Sequence, residues 1–190
     1  MKTLLGLIFV VFLSQVLVLN DASAGAGDIG FHLPINFRTR SEVVAGGSAS
    51  TTQYLDVVPS LGYQYSDLLY FGVNYRYTNE SGSGGYKFSG GVYGPSVVFT
   101  NSNFMFSLAY YVGGDLTKSY DGSEDTKYSS GSGPEISLGY IFPVAASFSW
   151  GPQFMYSDIK YTTTKVGSVT SSSTYEISGI EPYVGLYFYF

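Results

Sequence analysis

Apolar and polar residues alternate along most of the chain, beginning near Asp28. Successive side chains of a β-strand point to opposite faces, so a period of two predicts a strand with one apolar face. In the first such segment the apolar parity comprises Ile29, Phe31, Leu33, Ile35 and Phe37, and the other parity comprises Gly30, His32, Pro34, Asn36 and Arg38. The same split recurs seven more times and predicts eight strands.

The apolar parity of the later strands is rich in aromatic and branched residues. From the second strand to the eighth it comprises Leu55, Val57, Pro59, Leu61, Tyr63 and Tyr65; Leu69, Phe71, Val73, Tyr75 and Tyr77; Tyr93, Pro95, Val97 and Phe99; Phe104, Phe106, Leu108, Tyr110 and Val112; Pro134, Ile136, Leu138, Tyr140 and Phe142; Phe148, Trp150, Pro152, Phe154 and Tyr156; and Ile180, Pro182, Val184, Leu186, Phe188 and Phe190. In the fourth strand Phe88 is out of phase. Gly90, Gly91 and Gly94 therefore predict a β-bulge there.

The connections between these strands alternate in length. Residues 66–67, 101–103 and 143–145 predict short turns, whereas residues 39–52, 79–85, 115–133 and 162–173 are longer polar stretches that predict loops. Short turns at one end and long loops at the other describe an up-and-down antiparallel meander. In transmembrane β-barrels the short turns lie in the periplasm and the long loops outside the cell.

Periodicity alone does not distinguish a transmembrane barrel from a soluble lipocalin-like barrel or a β-sandwich. The apolar parity carries no charged residue, and only 12% of the chain is charged, which is low for a soluble surface. Aromatic residues of the apolar parity lie toward the strand ends, as in interfacial girdles, and aliphatic residues lie between them. Strands of about ten residues also suit a tilted bilayer crossing. We therefore predict an all-β, eight-stranded transmembrane antiparallel barrel.

The first residues predict an export signal. Lys2 precedes an apolar run over residues 4–19, and Ala22-Ser23-Ala24 matches a signal-peptidase site. Cleavage between Ala24 and Gly25 divides the chain into a signal peptide, residues 1–24, and a barrel domain, residues 25–190. A transmembrane anchor is the alternative, because the run is near the lower limit of about 17 residues for a spanning helix. The chain has no cysteine, which excludes disulfides and thiolate metal sites.

The carboxyl terminus, Tyr183-Val184-Gly185-Leu186-Tyr187-Phe188-Tyr189-Phe190, resembles the assembly signal of bacterial outer-membrane barrels. Tyr183, Gly185, Phe188 and Phe190 each fit that signal. The whole pattern is similar to the eight-stranded family that includes the OmpA transmembrane domain, OmpX and the opacity-type proteins. The resemblance implies a Gram-negative outer membrane, recognition by the barrel-assembly machinery and contact with lipid and lipopolysaccharide. It carries over no particular activity.

The interior parity holds a predicted charge network of Asp56, Arg76, Lys87, Glu135 and Glu181. An eight-stranded barrel is just wide enough for side chains to fill it, so no wide pore is expected. Charges in such a place are stable when they are paired or hydrated. Two interpretations stay open: a static ion-pair network, or a gate that rearranges to open a narrow conductance.

Other functions have weaker support in the sequence. The net charge of -5 is unfavourable for nucleic acid. A lipid-modifying enzyme would need a histidine beside a serine or a carboxylate, and the one histidine, His32, has its nearest hydroxyls at a strand end. The acidic run from Asp121 to Asp125 lacks the spacing of a calcium loop. We therefore expect no cofactor and no catalysis.

The leading hypothesis is a monomeric barrel that serves envelope integrity or binds a surface ligand through its loops. A narrow pore for ions or small solutes is the second hypothesis.

Overall fold

The alternating segments form an all-β structure built from one antiparallel sheet. The computed structural model describes residues 27–43 and 49–190, so the predicted cleavage site at Ala24 and Gly25 lies outside the described residues. The strands are β1 (Ile29–Val43), β2 (Ala49–Val57), β3 (Ser60–Ser66), β4 (Leu69–Ser81), β5 (Lys87–Asn101), β6 (Phe104–Tyr111), β7 (Gly113–Ser119), β8 (Thr126–Ser129), β9 (Gly133–Tyr140), β10 (Phe142–Ala145), β11 (Phe148–Tyr161), β12 (Thr163–Val166), β13 (Val169–Ser171) and β14 (Tyr175–Tyr189).

The strand pairings close on themselves. Eight strands, β1, β2, β4, β5, β6, β9, β11 and β14, pair in that order, and β14 returns to β1. In the closing pair Phe31 lies opposite Phe188, and Ile35 lies opposite Val184. The last strand therefore pairs with the first, as the predicted barrel requires. Closure gives both sides of each of these strands a hydrogen-bonding neighbour, which removes the free edges that an open sheet exposes.

The sheet contains 14 strands, whereas the pattern predicted eight. The chain nevertheless makes eight passes, because several passes are divided into two or three segments: 29–43, 49–66, 69–81, 87–101, 104–119, 126–145, 148–166 and 169–189. The interruption between β2 and β3 falls at Pro59, which has no N–H to donate to the ladder. Pairing with β1 and β4 continues in the same register on both sides of this proline.

Much of what was predicted as long loops is strand, and that prediction is wrong. β1 extends to Val43, β4 extends to Ser81, and β7, β8, β12 and β13 occupy about half of residues 115–133 and 162–173. These strands include Thr and Val at several positions, such as Thr117, Thr163 and Val169, which fit a pleated surface. Residues 143–145 are also strand, and the turn follows at residues 146–147. The turns that remain within residues 115–133 and 162–173 contain glycines with positive φ, Gly122 (75°) and Gly167 (55°).

The bulge predicted on the fourth pass lies on the fifth. β5 keeps one register against β4 along its whole length, with Phe88 buried and Lys87 exposed. The register of β5 against its other neighbour shifts by one residue between β6 and β7, because Val97 pairs with Leu108 whereas Tyr93 pairs with Gly113. The extra residue lies between Ala109 and Gly113, and Gly114 follows it at φ 143°, where a β-carbon would collide with the backbone of β5. Phe88 is out of phase with the outward series of Tyr93, Val97 and Phe99 because its side chain faces the interior of the ring.

The outer face of the ring is apolar over most of its height. The predicted apolar residues point outward, and many are largely exposed, including Leu61 and Leu138 at 60%. We call the end of the ring that carries the hairpins β7–β8 and β12–β13 the loop side, and the end with the short connections the turn side. Outward-facing charges begin only beyond the apolar residues on the loop side, for example Asp158, Lys160 and Asp115. Near the turns the aromatic rings form a chain of contacts from Phe104 through Tyr140, Phe142 and Trp150, with Phe148 and Phe188 in contact farther round.

Helix contributes little to the described residues. One three-residue 3₁₀ turn, Ser83–Gly85, connects β4 to β5. Within residues 27–43 and 49–190, no helix has the length and apolar character needed to cross a bilayer.

Candidate functional site in the ring interior

The interior of the ring is divided into layers along its axis. The layer near the turns contains His32, Tyr70 and Tyr187, the middle layer is charged, and the layer near the loops is mainly apolar. Alternation along each strand places these side chains inside, and the register between strands decides which of them share a layer.

The middle layer is built around Arg76 of β4. Its guanidinium Nη2 lies 2.5 Å from the Asp56 carboxylate and donates to the Tyr183 hydroxyl at 3.0 Å. Its Nη1 lies 3.3 Å from the Glu135 carboxylate. Asp56, Arg76 and Glu135 are all buried, at 0%, 5% and 1% exposure. Four strands from different parts of the chain therefore meet at one guanidinium.

Glu181 connects this layer to the loop side of the interior. Its Oε2 lies 3.5 Å from Arg76, and its Oε1 accepts from the Arg38 guanidinium at 2.7 Å. The Tyr54 hydroxyl donates to both Glu181 and Asp56, at 3.0 and 3.1 Å. The Arg38 guanidinium also lies 4.2 Å from the centre of the Tyr54 ring. The structure thus joins four of the five predicted network residues.

Lys87 does not belong to this network. It is exposed on the outer face at the start of β5, and none of the ion pairs between described residues includes it. The predicted interior position of Lys87 is wrong because the strand has no bulge there to invert its parity. Phe88 occupies the neighbouring interior position.

Hydroxyl groups that the sequence prediction missed complete the network. Tyr183 donates to Asp56 at 2.5 Å, Tyr111 donates to Glu135 at 2.8 Å, and Thr78 donates to Asp56 at 3.3 Å. Each satisfies a carboxylate that has left water, which lowers the cost of burying it. A sequence signal existed, because Tyr183 and Thr78 each stand two residues from a charged network member and so share its face.

Aromatic rings and buried amides close the interior on the turn side. The His32 ring stacks on Tyr70 at 4.3 Å and contacts Tyr187 edge-on at 5.2 Å. Tyr70 donates to the Gly30 carbonyl, and Tyr187 donates to the side chain of Gln153. A space of about 20 Å³ lies between this layer and the charged one. That is room for about one water molecule.

His32 has the surroundings of a packed side chain. Its Nε2 atom has no hydrogen-bond partner among the described residues, and its ring contacts are tyrosines. A catalytic histidine would be oriented by a carboxylate and would face a nucleophilic hydroxyl. The geometry supplies neither arrangement in the part of the chain that is described.

A cavity of about 210 Å³ lies on the loop side of the charged layer. Phe88, Leu116, Ile159 and Tyr161 are buried in its walls, and Tyr175 packs against them. Arg76 and Glu181 contribute to its floor. The cavity therefore has an apolar wall and a charged base, and it is much larger than the space beneath the network.

The acidic residues of the loop-side hairpins are solvated. Asp115 of β7 pairs with Lys127 of β8 at 2.7 Å, and that ammonium lowers the pKa of the Asp115 carboxyl below its ordinary value. Asp121, Glu124 and Asp125 are exposed. Over residues 27–43 and 49–190 no three potential ligands come together as a metal site.

The four residues of the predicted assembly signal divide between the two faces of β14. Tyr183 and Gly185 point inward, and Phe188 packs outward against Phe148 with ring centres 5.0 Å apart. A β-carbon at Gly185 would lie 2.2 Å from the Tyr187 hydroxyl, so a larger residue there would displace that buried ring. Phe190 is exposed and its backbone pairs with Ile29. These residues therefore also have structural roles in the closing strand.

Comparison with known proteins adds no assignment to this geometry. No protein-family model matches the chain, and no curated protein is significantly similar to it.

Proposed function

We propose that this protein is an integral β-barrel of a Gram-negative outer membrane, with a closed interior and with loop-side hairpins that face the surroundings of the cell. Its role is to support the envelope or to bind at the surface. The observation that carries the proposal is the distribution of charge. The outer face is apolar and uncharged over most of the height of the ring, while Arg76, Asp56 and Glu135 lie inside it. A soluble ring would have the opposite arrangement.

The height of the apolar face agrees with a bilayer. On β11 the outward series runs from Phe148 to Tyr156, about 27 Å of strand at ~3.4 Å per residue. A tilt of about 40° reduces this to about 21 Å across the layer, near the ~25 Å band of outer-membrane barrels. Charge begins at the next outward residue, Asp158, followed by Lys160, which lies 3.5 Å from Glu176.

The outer membrane is favoured over other bilayers by the two ends of the chain. Ala22-Ser23-Ala24 and the run before it resemble an export signal, and the terminal strand resembles a signal for the barrel-assembly machinery. The partners we propose are that machinery during biogenesis, then outer-membrane lipid and lipopolysaccharide. A surface ligand would contact the hairpins β7–β8 and β12–β13.

Refolding into lipid vesicles tests membrane insertion. Urea-unfolded protein diluted into short-chain phosphatidylcholine vesicles should become resistant to protease along the ring and should float with the vesicles. Unboiled samples should migrate differently from boiled ones on a denaturing gel. Protein that refolds without lipid into a soluble monomer, with one mobility in both samples, would contradict the proposal.

The narrow-pore hypothesis has a separate test. The Arg76 network and the layer of His32, Tyr70 and Tyr187 occupy two successive levels of the interior, which favours a closed barrel. We expect purified protein in planar bilayers to give no discrete conductance steps. Reproducible steps that are altered in Arg76→Ala would instead support a gate at the network.

A further inference from the structure

The loop-side cavity has a wall and a base of different chemistry. Aromatic and aliphatic side chains line its upper part, including Phe88, Tyr86, Tyr175 and Ile177. Glu80, on the interior parity of β4, also lines it, together with Glu181. An apolar chamber with a few charged groups at one end is the usual form of a small-molecule site.

Among the described side chains in and directly beneath this cavity, carboxylates outnumber cations. Asp56, Glu80, Glu135 and Glu181 supply four carboxylates, whereas Arg38 and Arg76 supply two guanidiniums. Lys118 at the mouth adds one more cation, 6.0 Å from the centre of the Tyr86 ring. One carboxylate is still in excess among the described side chains.

Glu80 is the carboxylate of this cavity that forms no ion pair with a described side chain. Arg76 is held by Asp56 and Glu135, and Arg38 is held by Glu181. Glu80 accepts a hydrogen bond from the Tyr86 hydroxyl at 3.3 Å and forms no ion pair with a described residue. A positive group entering the cavity would therefore find an acceptor that no arginine has neutralised.

The rings around the mouth favour a cation as well. Lys118 already lies 5.5 Å from the centre of Tyr120, and Tyr86 contacts Tyr120 with ring centres 5.3 Å apart. Tyr128 and Tyr175 stack at 4.2 Å beside them. Electron-rich ring faces attract ammonium groups most strongly where water is partly excluded.

We propose that this cavity binds a small cationic amphiphile, an aryl- or alkylammonium whose apolar part packs against Phe88 and Ile159 and whose ammonium pairs with Glu80. The size follows from the volume. A cavity of about 150 Å³ takes up benzene, so about 210 Å³ suits an aromatic ring with a short charged chain.

Calorimetric titration of the folded protein in detergent tests the site with 2-phenylethylammonium as the probe. Two compounds of similar size and shape serve as controls, neutral 2-phenylethanol and anionic 3-phenylpropionate. We expect saturable 1:1 binding of the ammonium, binding of the alcohol at least about fivefold weaker, and no binding of the anion. Equal affinity for ammonium and alcohol, or a preference for the anion, would overturn the assignment.

Matched variants locate the site. Glu80→Gln keeps an acceptor for Tyr86 and should raise the Kd for the ammonium about five- to tenfold, the effect of losing one partly desolvated ion pair. Glu176→Gln makes the same charge change on the outer face, where Glu176 pairs with Lys160, and should leave the Kd unchanged. Equal effects of the two variants, or no effect of Glu80→Gln, would contradict the proposal.

Ile177→Trp should abolish binding by filling the cavity. Because a bulky residue could also disturb folding, the variant counts only if its unboiled gel mobility matches that of the wild type; if it does not fold, Glu80→Gln decides. Binding in detergent requires the closed ring but no bilayer. Failure of binding and failure of vesicle insertion are therefore separate results.

Discussion

The Arg76 guanidinium lies 2.5 Å from the Asp56 carboxylate in the middle of the ring, and both side chains are almost completely shielded from solvent. Asp56 stands at the end of β2 beside the Pro59 interruption, and Arg76 lies in β4. This pair determines much of what we expect of the interior, because removing one partner leaves the other buried without compensation.

Arg76→Met should be strongly destabilising. The substitution keeps much of the volume but leaves Asp56 and Glu135 facing each other without a cation, at an expected cost of about 3 to 5 kcal/mol. Urea unfolding in vesicles, followed by tryptophan fluorescence from Trp150, measures it. Arg38→Met is the control. Its partner Glu181 is retained, its side chain is 51% exposed, and the expected loss is below about 1 kcal/mol. Similar losses in both variants would show that burial of the network is not decisive.

Leu138→Arg distinguishes a lipid-facing surface from a water-facing one. Leu138 points outward at mid-height and is 60% exposed. In water an exposed leucine is replaced with an effect within about 0.5 kcal/mol. At a bilayer midplane the arginine should cost about 2 to 4 kcal/mol. Ser178→Arg, an outward position beside Asp158 at the charged boundary, should be nearly neutral in vesicles. A neutral Leu138→Arg would argue against insertion.

The Asp115–Lys127 pair predicts a small acid sensitivity of the β7–β8 hairpin. Hydrogen bonding by Lys127 lowers the pKa of Asp115 in the folded protein. Its contribution is therefore present above the unfolded pKa of about 3.9 and is lost as the pH falls through the lower folded value. Lys127→Gln should raise the pKa of Asp115 toward its ordinary value, as followed by carboxyl NMR titration. An Asp115 pKa that stays unchanged in Lys127→Gln would contradict this prediction.

Phe188→Ala should weaken the closing strand independently of any assembly factor. The ring of Phe188 contacts Phe148 and Phe31, which lie on the two neighbours of β14. Loss of a well-packed phenylalanine costs up to about 3 to 5 kcal/mol, less at an exposed outer face. Refolding yield into vesicles, without cellular components, should fall. If yield is unchanged in vesicles but surface levels fall in cells, Phe188 acts as a recognition signal only.

The faces of the strands could be predicted from the sequence, because alternation is a local property and needs no knowledge of the partner strand. Leu61, Val73 and Leu138 were predicted outward and lie there, and Asp56, Arg76 and Glu135 were predicted inward and lie there. Polarity was a poor guide to the ends of strands. Thr126–Ser129 and Thr163–Val166 are strands, because polar β-formers pair as readily as apolar ones when a hairpin offers a partner.

The sequence by itself determined the period-two pattern, the lack of charge on the apolar face and the set of residues available to the interior. Only the tertiary structure decided which of those residues meet. The register between strands brings Arg76 level with Asp56, Glu135 and Tyr183, and the unbroken register of β5 against β4 leaves Lys87 outside and Phe88 inside. The reason is physical: a side chain's face depends on its own strand, whereas its height in a closed ring depends on the pairing of every strand around it.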